Sequence, residues 1–213
     1  MPLTAFAMLR TSVVRFVLIY SLVSILASCA SVSEQVSQHP ADWETRLQQH
    51  QQINDWTIKA RLGVQTEFEG GSFDVFWQQL VDAYEIRLIA PLGQGAVQIT
   101  GDNGGVTIRL ADGQTEYSQD ADALFASMTG LSLPVSGLQD WLRGMPIQGE
   151  AIQTISWNEH GQLYKLEQRG WRVEMARYKA IAGYDLPHAF YLEREDSPEL
   201  SVRLLVREWQ PVQ

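Results

Sequence analysis

Few side chains in this sequence are placed to do chemistry. The four histidines, His39, His50, His160 and His188, lie far apart. None sits in an HExxH pattern or beside a pair of cysteines, so their spacing defines no metal site. Ser72 occurs in Gly-Gly-Ser-Phe-Asp, which is not a nucleophile elbow. The segment from Gly93 to Gln98 begins like a dinucleotide loop, but it lacks the third glycine and leads into a strand instead of a helix. There is no phosphate loop, so ATP use is not expected. A triad gathered from distant segments would leave no local motif. On these signals neither an enzyme nor a metal or cofactor is expected.

Cys29 is different. It is the only cysteine, and it follows Leu26-Ala27-Ser28. Arg10 and Arg15 precede an apolar run from Phe16 to Ala27, and no acidic residue occurs before Glu34. A basic segment followed by an apolar run too short to span a bilayer comfortably is the pattern of a secretory signal. A buried or free thiol is the plain alternative, but the cysteine lies at the expected cut. This stretch resembles the bacterial lipoprotein box, in which the cysteine carries a diacylglyceride and an amide-linked fatty acid and becomes the mature N-terminus. Residues 1–28 are then a removed signal peptide. No thiol is left for a disulfide, and the fold must stand on its core alone. By the same resemblance, an aspartate after the cysteine would favour the inner membrane; Ala30 points to the outer membrane.

The chain has 213 residues, enough for one domain with a substantial core. Its formal net charge of −9 argues against a nucleic-acid partner, since phosphate binding needs a basic surface. Loss of Arg10 and Arg15 with the signal leaves 14 basic residues against 25 acidic ones, a formal charge of −11. Residues 29–40 are polar and read as a flexible tether. Residues 41–213 read as a single domain.

That domain opens with a helical pattern from Ala41 to about Ile53, in which Trp43 and Leu47 form a narrow apolar stripe. The period then changes to two. Trp56, Ile58, Ala60, Leu62 and Val64 share one face, and Thr57, Lys59, Arg61 and Gln65 the other. Phe73, Val75 and Trp77 alternate likewise, although Phe76 breaks the pattern; Tyr84, Ile86 and Leu88 follow. Two strands joined through Gly101-Asp102-Asn103-Gly104-Gly105 form a hairpin, and a short strand follows the Asp112-Gly113 turn. The last third returns to strands, with turns at Asn158–Gly161, Gly183 and Ser197-Pro198. The count is roughly ten or eleven, mostly hairpin-linked.

Two helical segments lie between. The first starts at a capping Asp120 and stops at Gly130, with Leu124, Phe125 and Met128 on one face. The second runs from Ser136 to Arg143 and carries Leu138, Trp141 and Leu142. The segment Leu131–Val135 separates them. Without βαβ alternation, a parallel sheet is not expected. The expected fold is mainly β with helices, one large, strongly curved antiparallel sheet with the two mid-chain helices packed on its concave side. Such a sheet can enclose a ligand cavity or fill it with its own side chains. Pattern alone leaves both open.

The ordered set "HQQINDWTIKARLGV", "FWQQ", "LIAPLGQG", "MTGLSLPVSGLQDWLRGMP" and "GWRVEMARY" spreads over most of the domain. It is similar to the LolB family of outer-membrane lipoprotein acceptors. The resemblance implies an open, incomplete β-barrel with a helical lid and an apolar interior, which takes acyl chains from a LolA-like periplasmic carrier and inserts lipoproteins into the outer membrane. It implies a lipid-anchored monomer on the periplasmic face, with lipoprotein cargo and outer-membrane lipids as partners. The lid and cavity roles then fall on Leu124, Phe125, Met128, Leu138, Trp141 and Leu142. An anchored, lipocalin-like binder of free lipids is the alternative.

Turn tips are usually polar, yet Leu92 stands between Pro91 and Gly93. The family carries an exposed leucine in such a loop, so the resemblance makes Leu92 a membrane probe, although Ala90 replaces the asparagine often found before the proline. One buried leucine is worth about 1.5–3 kcal/mol. A triacylated cargo has on the order of forty methylenes, and moving them into water at about 0.8 kcal/mol each would cost roughly 30 kcal/mol. Leu92 cannot supply that. An apolar cavity must hold the chains, and direction must come from differences in affinity along the route.

Overall fold

In a computed structural model, the period-two segments become one antiparallel sheet. The structure describes residues 40–212 except 94, 131 and 198. The signal peptide, Cys29 and the tether up to residue 39 lie outside the described residues. The strands are β1 (Trp56–Gln65), β2 (Gly70–Gln79), β3 (Ala83–Ile89), β4 (Ala96–Asp102), β5 (Gly105–Leu110), β6 (Thr115–Ser118), β7 (Ile152–Trp157), β8 (Leu163–Gln168), β9 (Trp171–Ala176), β10 (Lys179–Ile181), β11 (Tyr184–Leu186), β12 (Ala189–Arg194) and β13 (Ser201–Pro211). Eleven of them form a sheet in the order β6-β5-β4-β3-β2-β1-β13-β12-β9-β8-β7; β10 and β11 pair separately. The sheet is not closed, since β6 and β7 are its two edges.

The first and last strands meet at the middle. β1 pairs with β2 on one side and β13 on the other, so Ala60 stands opposite both Val75 and Val206. The row continues through Leu88, Val97 and Leu110. These apolar side chains face one way because successive residues alternate between faces. Phe76 keeps the alternation. It points to the other face, where the Arg87 guanidinium lies 5.5 Å from its ring centroid.

The connection from edge β6 to edge β7 carries two helices, α2 (Ala121–Thr129) and α3 (Leu138–Leu142). Asp120 caps α2, its Oδ1 accepting the Ala123 N–H at 2.9 Å. Gly130 ends it in the left-handed region at φ 72°. α2 packs over β5 and β6, while Trp141 of α3 reaches β8, so the helical segment bridges the opposite ends of the sheet. α3 is shorter than its sequence pattern predicts. Gly137 stands at its start, where a Cβ would collide with Ile147, and Arg143 closes its end by donating to the Gln139 carbonyl.

The leading helix, α1 (Trp43–Gln51), buries Trp43 edge-on against Trp157 of β7, with ring centroids 5.5 Å apart. Its apolar stripe includes His50, which is buried. The β10–β11 hairpin is not predicted by the sequence beyond its turn at Gly183. Arg177 adopts φ 57°, which ends β9 and redirects the chain into it. The Tyr178 hydroxyl then donates to the Leu163 carbonyl at 2.6 Å and fixes the new direction.

Candidate functional site

A cavity of about 70 Å³ lies between the inward face of the sheet and the helical segment. Its sheet wall includes Leu62, Val75, Trp77, Ile86 and Leu88 on one side and Leu192, Val202 and Leu204 on the other. The helical segment contributes Phe125, Leu133, Val135 and Leu138. Every one of these side chains is aliphatic or aromatic. A row of rings, Trp209, Trp56, Trp77 and Tyr84, crosses β13, β1, β2 and β3 at one end of the strands, with adjacent centroids 5.1, 5.4 and 6.4 Å apart. From that row the lining positions step toward the other end of the strands, through Val75 and Leu88 to Leu62 and Val202.

The six lid residues named from sequence fall into two groups. Phe125 and Leu138 line the cavity. Leu124, Trp141 and Leu142 are buried in the core, and Met128 is half-buried against it. Sequence reasoning passed over Leu133 and Val135, treating their segment as a separator. The signal was there. In Leu-Pro-Val, the proline favours an extended chain and two apolar residues recur at spacing two.

The base of the helical segment is fixed by buried polar groups. Gln168 is fully buried. Its Oε1 accepts from the Trp141 indole at 3.3 Å and from the Ile147 N–H at 2.8 Å, and its Nε2 donates to the Ile147 and Glu150 carbonyls. Asp140 and Arg143 pair at 2.6 Å, and Arg143 also donates to the Ile53 carbonyl. His50 donates from Nδ1 to the Arg143 carbonyl at 2.6 Å, and burial holds its imidazole below the ordinary value.

The outer side is held differently. Asp122 of α2 meets Arg169 at 3.0 Å and accepts from the Ser136 N–H and hydroxyl. Arg194 donates to the Ser132 hydroxyl at 3.3 Å. These contacts are partly solvated, so each contributes little to stability.

Leu92 lies outside the cavity. Pro91–Gly93 forms a tight loop kinked at Leu92, closed by the Ala90 N–H donating to the Gly95 carbonyl at 2.9 Å. Leu92 is 95% exposed and adopts φ 58°, ψ 20°. The left-handed region costs a leucine roughly 1–2 kcal/mol. The turn therefore holds an apolar side chain in water at a backbone cost that glycine would avoid.

No helix among the described residues is long and apolar enough to cross a membrane. An open antiparallel sheet with helices over an apolar interior defines the class of fold. The chain resembles a solved LolA-superfamily protein of Nitrosomonas europaea with a TM-score of 0.55 at 8% identity, over 80% of this chain and 93% of that one. At that identity the likeness concerns the fold alone.

The family model described as outer membrane lipoprotein LolB matches residues 54–209. The outer-membrane lipoprotein LolB of Ectopseudomonas mendocina (strain ymp) is 34% identical over 203 residues, covering 93% of this chain and 98% of the relative. That of Pseudomonas aeruginosa (strain LESB58) is 35% identical over 204 residues, covering 93% and 97%. The chain belongs to the LolB family of outer-membrane lipoproteins.

Proposed function

We propose that this protein takes acylated lipoproteins from a LolA-like periplasmic carrier, shelters their acyl chains in its cavity, and releases them into the outer membrane without ATP. Cys29 is its own lipidated residue and anchors it at the periplasmic face. The observation that supports this most is the wholly apolar wall shared by the sheet and the helical segment. Acyl chains then move between apolar environments, and no step has to carry them through water.

The cavity volume sets the order of events. Ligand pockets are usually about 300–1,000 Å³, and this one is about 70 Å³. Acyl cargo must then displace part of the cover. The buried polar network at Gln168 and Arg143 holds α3, whereas the polar contacts of α2 and residues 132–136 are partly solvated and their other hold is the apolar packing of Leu124, Phe125, Leu133 and Val135. The latter segment moves, with α3 as its base. Leu92 acts at release, by entering the membrane surface.

A transfer assay with a purified carrier–lipoprotein complex tests this. Cargo should pass to the protein, and from it to vesicles, without nucleotide. A protein that takes up free fatty acids but receives no lipoprotein would overturn the proposal in favour of a lipid binder.

A further inference from the structure

Phe68 is 86% exposed, second only to Leu92 among the large apolar side chains described. It sits at the tip of the β1–β2 hairpin, in Thr66-Glu67-Phe68-Glu69. The turn is tightly closed. The Thr66 N–H donates to the Glu69 carbonyl at 2.8 Å, and the Glu69 N–H donates to the Thr66 hydroxyl at 3.0 Å. The Gln65 amide adds bonds to the Thr66 and Glu69 carbonyls. The closed turn leaves the Phe68 side chain pointing into solvent.

The strand directions place Phe68 and Leu92 at one end of the sheet. β1 and β3 run the same way, each antiparallel to β2, so the β1–β2 turn and the β3–β4 loop leave the same edge. Asp74 pairs with Ile89. Phe68 lies six residues before Asp74 and Leu92 three after Ile89, so the hairpin reaches further by about 10 Å at roughly 3.3 Å per residue. The row of rings containing Trp56, Trp77 and Tyr84 stands at the opposite end, beside the exposed Leu80 and Val81. The end with Phe68 and Leu92 is therefore the one toward which the cavity lining extends beyond that row.

We propose that Phe68 is a second membrane-contacting residue, and that Phe68 and Leu92 together seat this end of the sheet on the bilayer surface. The inference rests on the delivery function proposed above. Two projecting tips, each with one exposed apolar side chain, suit a soft lipid interface better than a protein partner, which would need a contiguous surface of about 800 Å². Glu67 and Glu69 flank Phe68 and limit its depth to the headgroup level, where aromatic rings are favoured. They also favour zwitterionic lipid over anionic lipid. Two contacts fix an orientation that one cannot, so cargo released past Leu88 and Leu62 meets lipid directly.

The test uses the mature lipidated protein in vesicles of phosphatidylethanolamine and phosphatidylcholine. Lipidation consumes the native thiol, so Phe68→Cys, Leu92→Cys and Val81→Cys each carry one environment-sensitive fluorophore. Lipid-borne nitroxide should quench the labels at 68 and 92 and leave the one at 81 unquenched. Quenching at 92 without 68 would overturn the role of Phe68 and leave the delivery reading standing. Absence of quenching at both would overturn the two together. Quenching at 81 as well would overturn the orientation. As a second readout, Phe68→Ser should slow cargo insertion about tenfold, the effect of losing roughly one partly buried ring, with melting temperature and receipt from the carrier unchanged. Insertion at the wild-type rate would overturn the proposal.

Discussion

Asp122 of α2 meets Arg169 of the β8–β9 turn at 3.0 Å, joining the helix packed over one edge of the sheet to a turn near the other. Arg169 and Gly170 have φ of 55° and 73°, the signs required at the centre of a type I′ turn. Arginine is a costly choice there, and it places its guanidinium against both Asp122 and Ser136.

Arg169→Asn separates the two roles of that residue. Asparagine suits the turn but lacks the reach of the guanidinium. Stability should stay within about 0.5 kcal/mol of wild type, as for solvated ion pairs. Uptake of an apolar fluorescent probe should be faster. Unchanged uptake, measured beside chemical denaturation, would show that the ion pair does not restrain the cover.

Gln168 should behave in the opposite way. Gln168→Leu strands the Trp141 indole and the Ile147 N–H without their buried acceptor. Stability should fall by about 2–4 kcal/mol, read from urea denaturation. A near-neutral effect would mean that α3 is not the fixed base of the cover.

Much of this architecture was legible in the sequence because it is local. Alternation in Trp56–Val64 exposes a strand, and Asp120 and Gly130 mark the ends of a helix. Even Phe76, which reads as a break, proves to obey the period once Arg87 is seen to cover it. What the sequence hides depends on pairing at long range. Asp122, Ser136 and Arg169 carry no motif and meet only when the sheet curves. His50 is seven residues from Trp43 on the same helix, but only the fold shows that it is buried, with its Nδ1–H satisfied by the Arg143 carbonyl. Periodicity shows that Phe125 and Leu138 turn inward; it does not show that the space between them and the sheet is almost filled.

The protein should lose stability on mild acidification. Burial is the main cause that lowers the pKa of His50 and of His188 below 6.5 in the fold. Below pH 6.5 the unfolded chain gains protons that the folded imidazoles refuse, so stability drops as pH falls from 6.5 to the lowered values. Above 6.5 this contribution is constant. The lowered carboxyls of Glu167 and Asp196 act only further down, below 4.5 and 3.8. Melting temperature should therefore decline between pH 7 and pH 5, and His50→Gln should flatten the decline. An equal slope in the variant would remove His50 from the explanation.

Leu92→Glu should divide delivery from folding. The side chain is 95% exposed, so stability should change by no more than about 0.5 kcal/mol. Receipt from the carrier should continue. Insertion into the bilayer should slow or fail, because a charge resists entry into the acyl region. Normal insertion by the stable variant would make Leu92 only a turn residue.

Whether acyl chains occupy the space under α2 is the central question, and site-specific photocrosslinking answers it. A benzophenone side chain is placed at Leu133, on the cavity wall, and in a second variant at Phe76, on the opposite face of the sheet. Each protein is loaded from the carrier with lipoprotein bearing labelled acyl chains and then irradiated. The Leu133 position should capture the acyl label and the Phe76 position should not. Labelling at Phe76 with none at Leu133 would contradict the account, since the chains would then ride outside the cavity.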